Sequence, residues 1–196
     1  ITDAGNYRVQ KFDSDGNHVS SFGTQGTGNG QFSSPFGIAV DEIGNMYVSD
    51  ANNNTVQKFS TNGSYIGRLY YTDFNTPRGV AMDAAGNIYV ADETNDRIQK
   101  FNSAGIYIAT IGSVGSGNGQ LNGPNGIAMD AAGNIYVTDT LNHRIQSFNS
   151  TGVFVNSFGS SGSGDGQFTN PLGIAIAADG KILVVDTLNH RVQIVG

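Results

Sequence analysis

The feature that most constrains this chain is that it repeats one short text along its whole length. A phrase Pro-x-Gly-Ile-Ala-x-Asp is followed by Gly-Asn-x-Tyr-Val-x-Asp, and then by Asn-x-Arg-Ile-Gln-x-Phe. The aspartate that closes the second phrase falls at Asp3, Asp50, Asp92, Asp139 and Asp186, giving spacings of 47, 42, 47 and 47. The short spacing can be located. The connector is ten residues long from Phe22 to Phe32, Ile111 to Leu121 and Phe158 to Phe168, but five from Leu69 to Phe74. Units of this period cannot bury their apolar faces alone and must stack on their neighbours.

Inside one unit, short stretches of β-branched and aromatic residues alternate with turn signals every 8 to 12 residues, which predicts short antiparallel strands. In the third unit the strands read as Asn125 to Asp130, Ile135 to Thr138, Arg144 to Phe148 and Val153 to Phe158, and no window supports an amphipathic helix. The first turn, Asp130-Ala131-Ala132-Gly133-Asn134, has an aspartate that can bond the turn backbone and a glycine that can take the positive φ. Four strands per unit, repeated, predict the blade of an all-β propeller. Its innermost strand is crowded near the axis, which accounts for Gly37-Ile38-Ala39, Gly79-Val80-Ala81, Gly126-Ile127-Ala128 and Gly173-Ile174-Ala175. Alternation in Tyr47/Val48, Tyr89/Val90 and Tyr136/Val137 sends side chains to both faces of each sheet, each against a neighbouring blade.

Composition removes several function classes. With 13% charged residues and a formal charge of −6, the chain lacks the cationic footprint for a phosphate backbone, and no nucleic-acid partner is expected. The absence of cysteine excludes disulfides, thiolate zinc sites and thiol nucleophiles. No apolar run approaches the ~18 residues of a membrane helix, so no membrane insertion is expected.

Asp139-Thr140-Leu141-Asn142-His143-Arg144-Ile145-Gln146 and Asp186-Thr187-Leu188-Asn189-His190-Arg191-Val192-Gln193, each preceded by Pro-x-Gly-Ile-Ala, resemble NHL repeats. The resemblance covers essentially the whole chain. It implies an NHL-type β-propeller of four-stranded antiparallel blades, about four to five of them here, in a family that most often builds six. Proteins of this kind include extracellular sensor domains, surface and secreted repeat proteins, RNA-binding domains and a metal-dependent peptide-amidating lyase. The fold alone therefore does not assign a function.

The candidate residues are weighed on that basis. His143 and His190 hold equivalent positions, but Tyr7, Asn54 and Asp96 hold the same slot, and His18 belongs to a different part of its unit. A three-ligand zinc site is not expected, and neither a metal nor another cofactor is. Arg8, Arg97, Arg144 and Arg191, with Thr55 in the remaining unit, could form an anion-binding ring; recurring with the blade, they are expected instead to bond the aspartate that ends strand two or nearby carbonyls. The aspartates after strands one and two lack the Asp-x-Asp-x-Asp-Gly calcium pattern and read as turn residues. The Gly-x-Gly connectors at 23–30, 112–119 and 159–166 lack a following lysine or helix and read as flexible links. No catalytic set is found.

These readings favour a non-enzymatic binding or scaffold propeller in an extracellular or cell-surface setting, because lysines are few and Asn, Gly, Ser and Thr abundant. An NHL-type metal-dependent lyase or hydrolase is the alternative, and an RNA-binding domain the second. The expected binding face carries the turns between strands two and three: Asn95, Arg97, Asn142, His143, Arg144, Asn189, His190 and Arg191. Residues 1–196 read as one propeller domain, with a partial blade at 1–34, units at 35–76, 77–123 and 124–170, and a three-strand partial blade at 171–196. Tyr7 to Phe12 and His190 to Val195 are the same element, so the array should present an unpaired edge. Such an edge would belong to a fragment of a larger propeller or be completed by a protein partner or another copy.

Overall fold

The computed structural model describes residues 1–70 and 73–196. The chain forms five blades: three sheets of four antiparallel strands flanked by a first and a last sheet of three. Blade 1 holds β1 (Thr2–Asp3), β2 (Arg8–Phe12) and β3 (His18–Phe22). A ribbon of β4 (Thr24–Gln25) and β5 (Gln31–Phe32) leads to blade 2, with β6 (Pro35–Val40), β7 (Met46–Asp50), β8 (Thr55–Phe59) and β9 (Tyr65–Arg68). Blade 3 holds β10 (Pro77–Met82), β11 (Ile88–Asp92), β12 (Arg97–Phe101) and β13 (Tyr107–Ile111). A second ribbon, β14 (Ser113–Val114) and β15 (Gln120–Leu121), precedes blade 4: β16 (Pro124–Met129), β17 (Ile135–Asp139), β18 (Arg144–Phe148) and β19 (Phe154–Phe158). The third ribbon, β20 (Ser160–Ser161) and β21 (Gln167–Phe168), precedes blade 5: β22 (Pro171–Ile176), β23 (Ile182–Asp186) and β24 (Arg191–Val195). Helix is confined, among the described residues, to four single 3₁₀ turns between second and third strands.

The core is a stack of layers between blades. Tyr47 and Val56 of blade 2 pack on Val80, Ile88, Val90 and Phe101 of blade 3. Tyr89 and Ile98 repeat this against Ile127, Ile135, Val137 and Phe148 of blade 4. Tyr136 and Ile145 repeat it against Ile174, Ile182 and Val184 of blade 5. The tyrosine and the β-branched residue of the third strand thus face forward, and the remaining apolar set faces back.

The inner-strand glycine is required by close approach. A Cβ on Gly37, Gly79 or Gly126 would run into the carbonyl of Arg78, Asn125 or Leu172 on the following blade. The turn aspartates behave as their sequence implies. Asp130 accepts from the Asn134 backbone N–H at 2.8 Å and from its side-chain amide at 2.8 Å.

One expectation needs correcting: the glycine-rich connectors are not loose links. The Gly26 N–H donates to the Phe32 carbonyl at 3.0 Å and the Gln31 N–H to the Gly28 carbonyl at 3.1 Å, closing a two-strand parallel ribbon. The Gln31 side chain accepts from the Gly28 N–H at 2.9 Å inside the loop. The glutamine recurs as Gln120 and Gln167, with the same bond at 2.9 and 3.0 Å.

Candidate binding face

The residues singled out from the sequence gather at the turns between second and third strands, each set around one buried carboxylate: Asp92, Asp139 or Asp186. In blade 4, Asp139 is fully buried at the end of β17. The Asn142 amide donates to both its oxygens at 3.0 and 2.9 Å, Arg144 Nε to Oδ2 at 2.7 Å, and Gln146 Nε2 to Oδ2 at 3.0 Å. The Asn122 backbone N–H adds a bond to Oδ1 at 2.7 Å. The spacing of three, five and seven residues works because a single 3₁₀ turn and a left-handed residue fold β18 back beside β17.

Blade 5 repeats this hub. Asp186 takes Asn189 at 3.0 and 2.9 Å, Arg191 at 2.8 Å and Gln193 at 3.0 Å. Burial pushes the Asp186 carboxyl up, but the Thr169 N–H, Asn189, Arg191 and Gln193 outweigh it and hold the group below its usual range. In blade 3, Asn95 and Arg97 each reach Asp92 Oδ2 at 2.9 Å, and Gln99 reaches it at 2.7 Å. Blade 2 departs from the pattern: Asp50 is buried and met by Asn53 at 2.6 Å and by two backbone N–H groups, while Thr55 brings no cation.

The arginines are occupied twice over. Arg144 also donates to the carbonyls of Gly117 and Gln120 at 2.8 and 3.0 Å, and Arg191 to those of Gly164 and Gln167 at 2.6 and 3.0 Å. They tie the preceding ribbon to the hub, and the asparagines do the same, with Asn142 on the Gly115 carbonyl and Asn189 on that of Gly162 at 2.9 and 2.8 Å.

His143 and His190 do not come together on one ligand. Each caps its 3₁₀ turn in the left-handed conformation, at φ 55° and 53°, as Tyr7 and Asp96 do in their blades, and Asn54 is left-handed at the same slot after a plain turn. The side chain at this slot reaches the next blade. Asn54 Oδ1 accepts from the Thr76 N–H at 2.9 Å, Asp96 Oδ1 from Gly123 at 2.7 Å and His143 Nδ1 from Asn170 at 3.3 Å. His18 lies on β3 and bonds Ser21 at 2.8 Å. Among the described residues, no three His, Asp or Glu side chains converge on a point that could hold a metal ion.

Sequence reasoning missed the glutamine that joins the hubs of Asp92, Asp139 and Asp186, and the latch between blades. The glutamine's signal was its recurrence at the centre of each third strand, at Gln10, Gln57, Gln99, Gln146 and Gln193. Polar residues repeated at a core position imply a repeated buried bond.

This architecture and these hubs define a propeller of repeated blades, and the family comparison agrees. Residues 74–101, 121–148 and 168–195 match the NHL repeat. The chain is an NHL-repeat β-propeller. No curated protein matches it by sequence. Among solved structures it is similar to a catalytically inactive virginiamycin B lyase from Staphylococcus aureus bound to quinupristin, at 15% identity and TM-score 0.70, over 96% of this chain and 59% of that one. It is also similar to a streptogramin B lyase, at 14% identity and TM-score 0.68, over 96% and 72%. A nidogen/laminin complex gives 20% identity and TM-score 0.76, over 98% and 71%. The chain spans little more than half of the virginiamycin B lyase chains it matches, 59% and 54%. At such identities the likeness concerns the fold, which here is shared by lyases and by a protein that binds another protein. Among the described residues, no helix is long and apolar enough to cross a membrane.

Proposed function

We propose that this chain is a non-enzymatic scaffold that binds protein through its terminal blade, residues 1–196 acting as one propeller unit in an extracellular or cell-surface setting. One observation carries the reading. On the turn face, Asn95, Arg97, Asn142, Arg144, Asn189 and Arg191 are engaged by the hub carboxylates, while blade 5 leaves Val185, Val192 and Ile194 at 42%, 58% and 66% exposure beside an open strand edge. Exposed apolar surface next to an unpaired edge serves association with protein. The turn face, with Asn95, Arg97, Asn142, His143, Arg144, Asn189, His190 and Arg191, then acts chiefly to hold the blades rigid, and its protruding rims supply secondary contacts.

The lyase reading makes the opposite demand, for a reactive set on the propeller face. Incubating the chain with quinupristin, with and without added divalent metal, and following the compound by mass spectrometry separates the two. Unchanged quinupristin is expected; metal-dependent consumption would overturn the scaffold reading.

A further inference from the structure

The sequence holds five Asn-Gly pairs, at 29–30, 62–63, 118–119, 122–123 and 125–126. Such a pair is chemically labile, because the glycine has no Cβ to crowd its own amide nitrogen. That nitrogen gives up its proton and attacks the asparagine Cγ; a C–N bond forms, the bond from Cγ to the side-chain nitrogen breaks, and ammonia leaves. Water then opens the five-membered imide at either carbonyl and yields aspartate or isoaspartate. The reacting group is the glycine N–H, and it reacts only while it is free of an acceptor.

The fold engages all five of these N–H groups. Gly30 donates to Gln57 Oε1 and Gly119 to Gln146 Oε1, both at 2.9 Å. Gly123 donates to Asp96 Oδ1 and Gly126 to Thr138 Oγ1, both at 2.7 Å, and Gly63 to the Ser60 carbonyl at 2.9 Å. The pairs differ in what must open before they react. Asn125 is itself buried. Asn62 is exposed, and the acceptor of Gly63 lies within the same short turn. Asn29 and Asn118 are exposed at the tips of their ribbons, yet each following glycine is held by a glutamine 27 residues on, 3% exposed at Gln57 and fully buried at Gln146. Through Nε2 the same two glutamines donate to the Gln31 and Gln120 carbonyls, so each grips its ribbon twice.

We propose that Asn29 and Asn118 are sites of non-enzymatic conversion of amide to acid, gated by Gln57 and Gln146. The hub glutamine then has a chemical task beside its structural one: while it is seated, the exposed ribbon tip stays an amide. The ribbon before blade 5 shows what the product does. It carries Asp165 in this place and keeps the turn, with the Gly166 N–H on Gln193 Oε1 at 3.0 Å and the Gln167 N–H on the Gly164 carbonyl at 3.1 Å. Aspartate therefore fits. Isoaspartate routes the backbone through the side-chain methylene, lengthens the turn by one carbon and carries the glycine off its glutamine. Blade 3 is the converse case: the connector before it has no Gly-Asn-Gly, and Gln99 Oε1 is buried without a partner.

The gating is independent of what the propeller binds, and its test needs no ligand. The folded chain is held at mildly alkaline pH, and conversion at each asparagine is followed by peptide mass spectrometry, with isoaspartyl peptides separated by chromatography. In the wild type, Asn62 is expected to convert ahead of Asn29 and Asn118. Gln146→Leu is expected to speed Asn118 about fivefold, the gain in free amide from losing one hydrogen bond, without moving Asn29. Gln57→Leu should do the reverse. Gln99→Leu, which removes the same kind of bond to a hub carboxylate as Gln146→Leu, should speed neither. Equal acceleration of Asn29 and Asn118 in any of these variants overturns the gating, as does an unchanged Asn118 in Gln146→Leu or a wild-type Asn118 as fast as in the urea-unfolded chain. If Gln146→Leu does not fold, wild-type chain in sub-denaturing urea gives the same reading: conversion at Asn118 has to rise in step with hydrogen exchange at the Gly119 amide, and a rate that ignores the exchange overturns the proposal.

Discussion

Blades 4 and 5 are nearly the same text in two settings. Each has a Pro-x-Gly inner strand, a buried aspartate, and the Asn-His-Arg turn that gathers around it, with hub distances agreeing within 0.1 Å. They differ on the forward face. In blade 4, Thr138 and Ile145 are fully buried against blade 5; in blade 5, Val185 and Val192 stand exposed. The hub therefore assembles from local sequence, whereas whether an apolar residue is core depends on the next blade.

The largest expected effect contrasts the two forward faces. Ile145→Ala should cost about 2–5 kcal/mol, the range for emptying a packed core position. Val192→Ala on the dilute chain should stay within about 0.5 kcal/mol, as at an exposed site. Urea unfolding of both would break the comparison if the costs were equal. Next comes the hub: Arg144→Ala and Arg191→Ala each remove the cation from a buried carboxylate, for about 3 kcal/mol. The same melts check that the two losses agree; a silent Arg191→Ala would mean that the hub leans on its neighbour. Gly126→Ala should cost about 1–3 kcal/mol, because the new methyl lands on the Leu172 carbonyl, and Gly173→Ala less than about 1. Thermal unfolding of the two variants reads this difference.

Acid should erode the hubs in a defined direction. Asp186 has its folded-state range lowered by its donors, and so do the turn residues Asp83 and Asp130, where the asparagine amide and backbone bonds outweigh burial. A lowered carboxylate contributes stability above its unfolded value of ~4 and loses it as pH falls through the folded value. Stability should be level above about pH 5 and decline below about pH 4; denaturant midpoints from pH 7 to 2.5 check this, and a decline beginning above pH 6 would contradict it. The smallest effect is a gain: Thr55→Arg in blade 2 supplies the cation that Asp50 lacks and should raise stability by about 1 kcal/mol. The Tm of this variant tests whether blade 2 can accept the hub of its neighbours.

Much of the fold was legible because the strand boundaries are set by turn chemistry that recurs in register. The third unit's first strand was placed at Asn125 to Asp130 and lies at Pro124–Met129, a shift of one residue. The arginine hub was anticipated from the recurrence of Arg with the blade. The ribbons were not, since the Gln31 side chain that organises the loop lies past the glycines and only the folded path brings them together. The slot shared by Tyr7, Asn54, Asp96, His143 and His190 read as permissive because its residues differ. It is in fact restricted in backbone, all five being left-handed, and in three blades its side chain latches onto the next.

The sequence by itself determined the repeating blade, its four strands and the residues that would surround each aspartate, because these contacts lie within about one period of chain. Only the tertiary structure decided which face of each blade is core and where a hydroxyl finds its acceptor. Those properties belong to pairs of blades, and a contact between blades is fixed by how neighbouring sheets stack, which no single repeat encodes.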